Sequence, residues 1–575
     1  MESGLSKEQI KMKTTYASVL LGFSLLFSGC QPEKPTNEVN TAASFHWFDY
    51  QGQDAVFAEP LAKGSYQNPV AAGFFPDPSI TRRGDDYYMV LSSFSYTPGL
   101  PILHSTDLVN WQLIGHALSR ASQVDMSGMQ VSRGIFAPTI RYHDGTFYLI
   151  TTVVDKGGNF ILTATDPAGP WSEPIWLPEV EGIDPDIFFD DDGKVYISHN
   201  GEAPGQALYE GHRAIWMWQY DPVKKAVLPD SKKLLVNGGV DLSTKPIWIE
   251  APHIYKHNGW YYLVCAEGGT ADQHSAVVFR TRSLNEPFVP YSDNPILTQR
   301  DLPADRTTPI TTAGHADLVQ LPDGQWWAVF LATRVYQQSY FNTGRETFLL
   351  PVSWKDEWPT ILPQGQEIPY RQPAPTGLIS STGTLTQTGN FNWRDEFDGQ
   401  SLKLDWNLLR EFDQSWLTLD GQNLNINAKA VGMDSLSQPA FIGRRQQHTS
   451  FETSTSLVVP KGKISAGLVA FQNEQYHYYL GVKTAAGKTT VFLEQAKGGK
   501  PSLISSQDLA ANTEQLRLRI QGKAGEISFY YADQTGDWQQ LADTQDAKIL
   551  STQVAGGFVG TTLGVHARQE KETIP

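Results

Sequence analysis

One short phrase recurs five times in the chain and narrows its fold more than any other feature. It reads Asp77-Pro78-Ser79-Ile80, Ala137-Pro138-Thr139-Ile140, Asp184-Pro185-Asp186-Ile187, Ala251-Pro252-His253-Ile254 and His315-Ala316-Asp317-Leu318. Each copy runs on to a glycine turn, at Gly84, Gly145, Gly193, Gly259 and Gly324, and then to an apolar run such as Tyr87-Tyr88-Met89-Val90 or Trp326-Trp327-Ala328-Val329. An apolar strand, a glycine turn and a second apolar strand make a β-hairpin. Copies 47 to 67 residues apart lie at or above the spacing of propeller blades, about 40–50 residues. The chain is therefore expected to be all-β, with a five-bladed β-propeller built from one such hairpin per blade.

In a propeller the first strand of every blade lines the central channel. Residues at equivalent places in the phrase should then converge near the axis. Asp77, Asp184 and His315 occupy the first position of the phrase, and Phe136 and Glu250 the position just before it. A single Asp-Pro reads as an Asx turn at the start of a strand. Two such aspartates and a glutamate at matching places in separate blades point instead to one funnel holding three carboxyl groups and a histidine.

At 575 residues the chain exceeds one ordinary core, so two or more domains are expected. The propeller is assigned to residues 66–375. A proline-rich exit, Pro359 to Pro375, leads into a linker, 376–390, rich in Thr, Gly and Ser. From Phe391 onward the pattern changes to long alternating strands, such as Tyr478-Tyr479-Leu480-Gly481-Val482 and Leu516-Arg517-Leu518-Arg519-Ile520, which predicts a β-sandwich over 391–575. A formal net charge of −16 disfavours a nucleic-acid partner, which needs a basic face. No HExxH zinc motif, phosphate-binding glycine loop or serine nucleophile elbow is present in the sequence, so no organic cofactor is expected.

The first 30 residues read as an export signal. Lys7, Lys11 and Lys13 precede the apolar run Ala17 to Phe27, which is too short for a stable membrane span and ends in Ser28-Gly29-Cys30. Small residues directly before a cysteine resemble a bacterial lipoprotein signal, with Cys30 as the lipidated first residue of the mature chain. An exported lipoprotein anchored to the bacterial outer membrane, on its periplasmic or outer face, is the expected location. Residues 31–65, rich at first in Pro, Thr, Asn and Glu, read as a tether and lead-in. Cys265 is then the sole remaining thiol, in an apolar strand where inert packing is its expected role.

Glycoside hydrolysis uses a pair of carboxyl groups, one to protonate the leaving oxygen and one to activate water or attack carbon. The segments Gly73-Phe74-Phe75-Pro76-Asp77-Pro78, Gly182-Ile183-Asp184-Pro185-Asp186 and Ile249-Glu250-Ala251-Pro252-His253 resemble glycoside hydrolase family 43. Gly134-Ile135-Phe136-Ala137-Pro138, Gly314-His315-Ala316-Asp317 and Gly344-Arg345-Glu346-Thr347-Phe348 resemble its β-xylosidase and α-L-arabinofuranosidase branch.

The resemblance implies Asp77 as general base, Glu250 as general acid, and Asp184 as the carboxylate that orients the acid and raises its pKa. It implies sugar contacts from Arg345, His315, Phe94 and Phe136. No cofactor is required; a structural calcium in the channel, with His315 near a metal through water, stays open. Asp395-Glu396-Phe397-Asp398, Trp406-Asn407-Leu408 and Gly443-Arg444-Arg445-Gln446 are similar to the concanavalin-A-like sandwich of that branch, a loop of which narrows the active-site mouth. The expected activity is inverting, exo-acting release of terminal β-D-xylose or α-L-arabinofuranose from xylo- or arabino-oligosaccharides of plant hemicellulose. An endo-acting arabinanase and a non-catalytic carbohydrate-binding lipoprotein are the alternatives.

Two further signals have plain readings. Asp190-Asp191-Asp192-Gly193 lacks the alternating spacing of a calcium loop and reads as a solvated turn. Trp216, Trp218, Trp326 and Trp327 read as packing between blades.

Overall fold

Each copy of the repeated phrase begins a separate antiparallel sheet. In the computed structural model, which describes residues 41–379, 387–510, 512–534 and 536–570, blade 1 has strands Ser79–Arg83, Asp86–Val90, Gly99–Ser105 and Gln112–Leu118. Blade 2 runs from Thr139–His143 to Ile175–Trp176, blade 3 from Ile183–Phe189 to Lys233–Asn237, blade 4 from Glu250–His257 to Leu297–Thr298, and blade 5 from Ile310–Gln320 to Trp358–Thr360. The first strands of the five blades touch in cyclic order, the fifth returning to the first. They form the wall of a closed ring. Strand Ser65–Gln67 pairs with Arg371–Pro373, so the chain fastens the ring where it enters and leaves it.

The aromatic runs of the second strands fill the seams between blades. Trp326 and Trp327 are buried, and Trp216 and Trp218 lie under the ammonium of Lys232, so these indoles serve packing. Cys265 is fully buried in Trp260–Glu267, and burial holds its thiol well above the ordinary range. Asp190 to Gly193 closes the hairpin of blade 3, with Asp190 accepting from Lys256 Nζ (2.9 Å) and the Tyr261 hydroxyl (2.7 Å). It is a pinned turn.

The second region is two facing sheets around one apolar core, in which Phe48, Trp406, Leu468, Leu480, Leu518 and Phe529 are buried together. One expectation needs correction here. Residues 31–65 were read as tether and lead-in, yet Ala42–Gly52 is an inner strand of the larger sandwich sheet, paired with Ser450–Val458 on one side and with Leu424–Asn427 and Asn392–Asp395 on the other. Its alternating burial, with Phe45, Phe48 and Tyr50 inward, has the period of a half-buried strand. The polar composition just upstream masked that pattern. Cys30 and the export signal lie outside the described residues, as do residues 380–386 of the linker; after them Gln387 is buried and its carbonyl accepts from Ala72 N at 2.6 Å.

The propeller and sandwich share a seam with its own buried charges. Arg334 of blade 5 donates from Nη1 to Asp54 Oδ2 (2.5 Å) and from Nε and Nη2 to Glu346 (2.7 and 2.8 Å). Asp54 in turn accepts from Thr449 Oγ1 and Ser450 N, both at 2.8 Å, on the sandwich side. Removing one member of a buried ion pair leaves the other charge without compensation, at a cost of about 3–5 kcal/mol. Asp54→Ala should lower the unfolding free energy by that order in urea titrations. A loss below about 1 kcal/mol would mean that water replaces the carboxylate without penalty.

Candidate active site

The phrase positions its functional side chains through an uncommon backbone state. Asp77, Asp184, Ala251 and His315, the first residues of four of the five copies, have φ of 54°, 53°, 49° and 52°. Non-glycine residues rarely adopt this left-handed conformation. In blades 3, 4 and 5 it coincides with a slip in strand register beside the phrase, as in a β-bulge, which re-aims side chains at the end of a strand. The left-handed step turns Asp77, Asp184 and His315 toward the axis, while in blade 4 it follows Glu250. All four line one cavity of about 360 Å³ together with Arg345, Phe94 and Phe136. Every site residue expected from the phrase and its flanking motifs is therefore brought to one place.

Charge is unevenly matched there. Arg345 grips Asp77 with both ends of its fork, Nη1 to Oδ1 at 2.7 Å and Nη2 to Oδ2 at 3.2 Å, and Nη1 also donates to Thr270 Oγ1 at 3.1 Å. Ser92 Oγ donates to Asp77 Oδ2 at 2.6 Å. The neighbouring Glu346 faces away, engaged by Arg334, so Arg345 is not spent on a surface ion pair.

Burial, then the charge of Asp77, pushes the Glu250 carboxyl up to about 7, against the pull of Arg345 and Arg213. Asp184 is held well above the usual carboxylate range by burial, then by Glu250 and Asp77. Glu250 and Asp184 interact with each other and with Asp77 in one buried space, and both carboxyls are held above the ordinary range there. Burial holds His315 down at about 3 in spite of Asp77, with His253, His274 and Arg345 adding to the effect. Its ring is neutral, with Nδ1 3.8 Å from Asp77 Oδ1.

A layer below, the third residues of the phrase form a salt-bridged plug. Arg141 reaches Asp317 (2.8 Å) and Asp186 (3.1 Å), and also contacts His253 Nδ1 (3.1 Å). Although burial works the other way, Arg141 holds the Asp317 carboxyl below the ordinary range. These aspartates are matched by a cation and serve the channel's integrity. Among the described residues no three His, Cys, Asp or Glu side chains gather to hold a metal ion.

Sequence reasoning missed several lining residues, among them Phe558, Arg133, Thr270 and Trp248. Phe558 comes from the sandwich and closes one side of the cavity. It stacks with Phe94 (6.0 Å, 17°), meets Phe136 edge-on (5.8 Å) and lies 5.6 Å from the Arg345 guanidinium. Its approach depends on two glycines. A Cβ on Gly344 would come within 2.8 Å of Gly560 N, and one on Gly560 within 2.6 Å of Thr343 O, so the two backbones meet where no side chain fits. A sandwich loop at the mouth was expected; the residue at its tip was not, because 213 positions separate it from Arg345 in the chain.

Comparison with known proteins agrees with this geometry. Residues 66–359 match the family model described as Glycosyl hydrolases family 43, and residues 394–573 the Beta xylosidase C-terminal Concanavalin A-like domain. The chain is 37% identical over 511 residues to a xylosidase/arabinosidase of Butyrivibrio fibrisolvens, covering 88% of this chain and 96% of that protein. It is 35% identical over 521 residues to a non-reducing end α-L-arabinofuranosidase of Bacteroides ovatus, covering 88% and 92%. A crystal structure of a GH43_12 protein from a capybara gut metagenome superposes with a TM-score of 0.86 at 38% identity, over 91% of this chain and 99% of that one.

The displaced pKa of Glu250 has a consequence for stability. The folded state binds this proton up to about 7, whereas an unfolded glutamate releases it near about 4.3. Its contribution is thus fully present below the unfolded value and is lost as pH rises through about 7. Glu250→Gln removes that titration. The variant should gain melting temperature over wild type at pH 8 and little at pH 4 in differential scanning fluorimetry. An equal offset at both pH values would show that the carboxyl is not desolvated.

Proposed function

Because the chain belongs to glycosyl hydrolase family 43, we propose that it removes single terminal β-D-xylose or α-L-arabinofuranose units from the non-reducing ends of hemicellulosic oligosaccharides. The observation that carries this reading is the funnel with three carboxyl groups and the Arg345 guanidinium that grips Asp77, walled by Phe94, Phe136 and Phe558. About 360 Å³ is at the small end of small-molecule sites, roughly 300–1,000 Å³. That suits one sugar held at its end better than a polymer lying through a cleft. The sandwich wall at Phe558 disfavours endo action for the same reason.

In this reading Glu250, still protonated near neutral pH, gives its proton to the glycosidic oxygen as the bond to the anomeric carbon breaks. Asp77 accepts a proton from the water that attacks the opposite face of that carbon, and the released sugar has inverted configuration. The Arg345 fork and Ser92 hold Asp77 in one orientation, with its lone pairs only partly engaged. Asp184, close enough to Glu250 for their charges to interact, orients the acid. Neutral His315 offers hydrogen bonds to sugar hydroxyls without adding charge. Phe94 and Phe136 give the apolar face of the sugar a surface.

We also propose, from Lys7, Lys11, Lys13 and the Ser28-Gly29-Cys30 sequence, that the enzyme is exported and anchored by lipid on Cys30. Cys30→Ala should abolish incorporation of labelled palmitate and release the enzyme into the soluble fraction; a labelled variant would refute the anchor.

The activity is tested with aryl β-D-xylopyranoside, aryl α-L-arabinofuranoside and the matching unactivated oligosaccharides. Glu250→Gln should lower kcat on oligosaccharides by about 10²–10⁴-fold, the usual worth of a general acid, and by much less on the aryl glycosides, whose leaving group departs without help. Asp77→Asn should impair both classes alike. For wild type, kcat should fall as pH rises through about 7 as Glu250 loses its proton. Retained configuration in the released sugar, followed by proton NMR, or absence of turnover on both sugars would refute the reading.

A further inference from the structure

Trp248 is a cavity-lining residue that the reaction described above leaves without a task. It stands two residues before Glu250, outside the strand that Glu250 begins, and its backbone is left-handed at φ 51°. For a bulky aromatic residue that is a true outlier, maintained only where the surroundings impose it. Here they do. Trp248 N donates to Gly211 O at 2.9 Å, and Ile247 O accepts from Gly268 N at 2.9 Å, so neighbouring loops clamp the backbone from two sides.

The ring is also held. The Arg213 guanidinium lies 4.2 Å from the indole centroid and is ion-paired with Glu202. Arg213 is not among the residues lining the cavity, whereas Trp248 is. The guanidinium therefore backs one face of the indole and leaves other surface to the cavity. The charge of Arg213 is felt at the Glu250 carboxyl, which places the Trp248–Arg213 pair beside the residue that protonates the leaving oxygen. The three phenylalanines wall the other part of the cavity, around Arg345. Neighbouring Ile247 is 48% exposed, so the apolar surface continues outward from the indole.

We propose that Trp248, backed by Arg213, is the platform of a leaving-side subsite that takes the sugar ring on the far side of the bond being cut. The ligand class is a pyranose or furanose unit of an oligosaccharide, bound through its C–H face on the indole. A cation on the opposite face increases the rigidity of the ring and is itself attracted to it. The inference rests on the glycosidase reading and adds to it: the enzyme recognises the sugar it leaves behind as well as the one it releases.

The test compares two substrates that share the released sugar. One is the disaccharide, which carries a leaving sugar; the other is the corresponding glycosyl fluoride, which carries none. The quantity read is the ratio of kcat/KM for disaccharide to kcat/KM for fluoride. In Trp248→Gly, where glycine accepts the left-handed backbone, this ratio should fall about tenfold, the order of one aromatic contact, mainly through KM of the disaccharide. Trp248→Phe should restore most of it. Trp248→Leu, which keeps apolar bulk without a ring, is carried in parallel and should behave like the glycine variant. An unchanged ratio, with both substrates slowed alike or neither affected, would overturn the platform while leaving the glycosidase reading intact. A wild type that cleaves neither substrate would sink that reading and this inference with it.

Discussion

Three carboxyl groups share one pocket in which Arg345 is the guanidinium that pairs with one of them, and much of the structure follows from keeping them there. Like charges brought together in a desolvated space resist joint ionisation. The chain resolves this by giving Arg345 to Asp77 and leaving Asp184 and Glu250 to favour their protonated forms. Such an arrangement relaxes if the scaffold yields. A ring of five blades, fastened by Ser65–Gln67 on Arg371–Pro373, cannot open at one seam without straining the others. The plug of Arg141 with Asp186 and Asp317 adds a second fixed layer below. The same phrase thus supplies both strata, its first residues bearing reactive carboxyls and its third residues neutralised ones.

The sandwich is part of the site as well as of the fold. Phe558 reaches Phe94, Phe136 and Arg345, and the propeller strand Tyr96–Thr97 pairs directly with Leu408–Leu409 of the sandwich. Phe74, Phe94 and Tyr96 share one buried cluster with Phe441, Phe471 and Phe492. Apolar packing across the junction therefore fixes the wall of the pocket, and the position of Arg345 depends on contacts made by both regions. A substitution in the sandwich can reach catalysis through this cluster without touching a charged group.

Much of this was legible from residue order. The phrase repeats because every blade meets the axis in the same way, so its first positions had to converge, and Asp77, Asp184, Glu250 and His315 do. Phe136 was placed by its position before the phrase, Arg345 and Phe94 came through family resemblance, and all three lie in the same cavity. Trp248 carried a readable hint, two residues from Glu250, but its left-handed backbone is set by loops around Gly211 and Gly268 that leave no local pattern. Phe558 was invisible for another reason: its partners are far away in sequence, brought near by the close approach of Gly560 to Gly344 and by bonds such as Phe558 N to Ser132 Oγ. The strand Ala42–Gly52 alternates on either side of a bulge between Phe45 and Trp47, and the polar segment before it drew the reading toward a tether. Long-range pairing, unlike periodicity, leaves little trace in local composition.

That early strand has a consequence for how the molecule can be divided. Its partners Ser450–Val458 are made some four hundred residues after it, so the catalytic ring is synthesised between two pieces of the same sheet. A fragment cut at residue 391 would lose an inner member of that sheet and bare the hydrogen-bonding groups of Ser450–Val458, a template for adhesion to other chains. The complementary fragment would carry an orphan strand with Phe45, Phe48 and Tyr50 stripped of their cover. The two regions are separable as architecture and inseparable as folding units: the ring is an insertion within a sandwich that closes last.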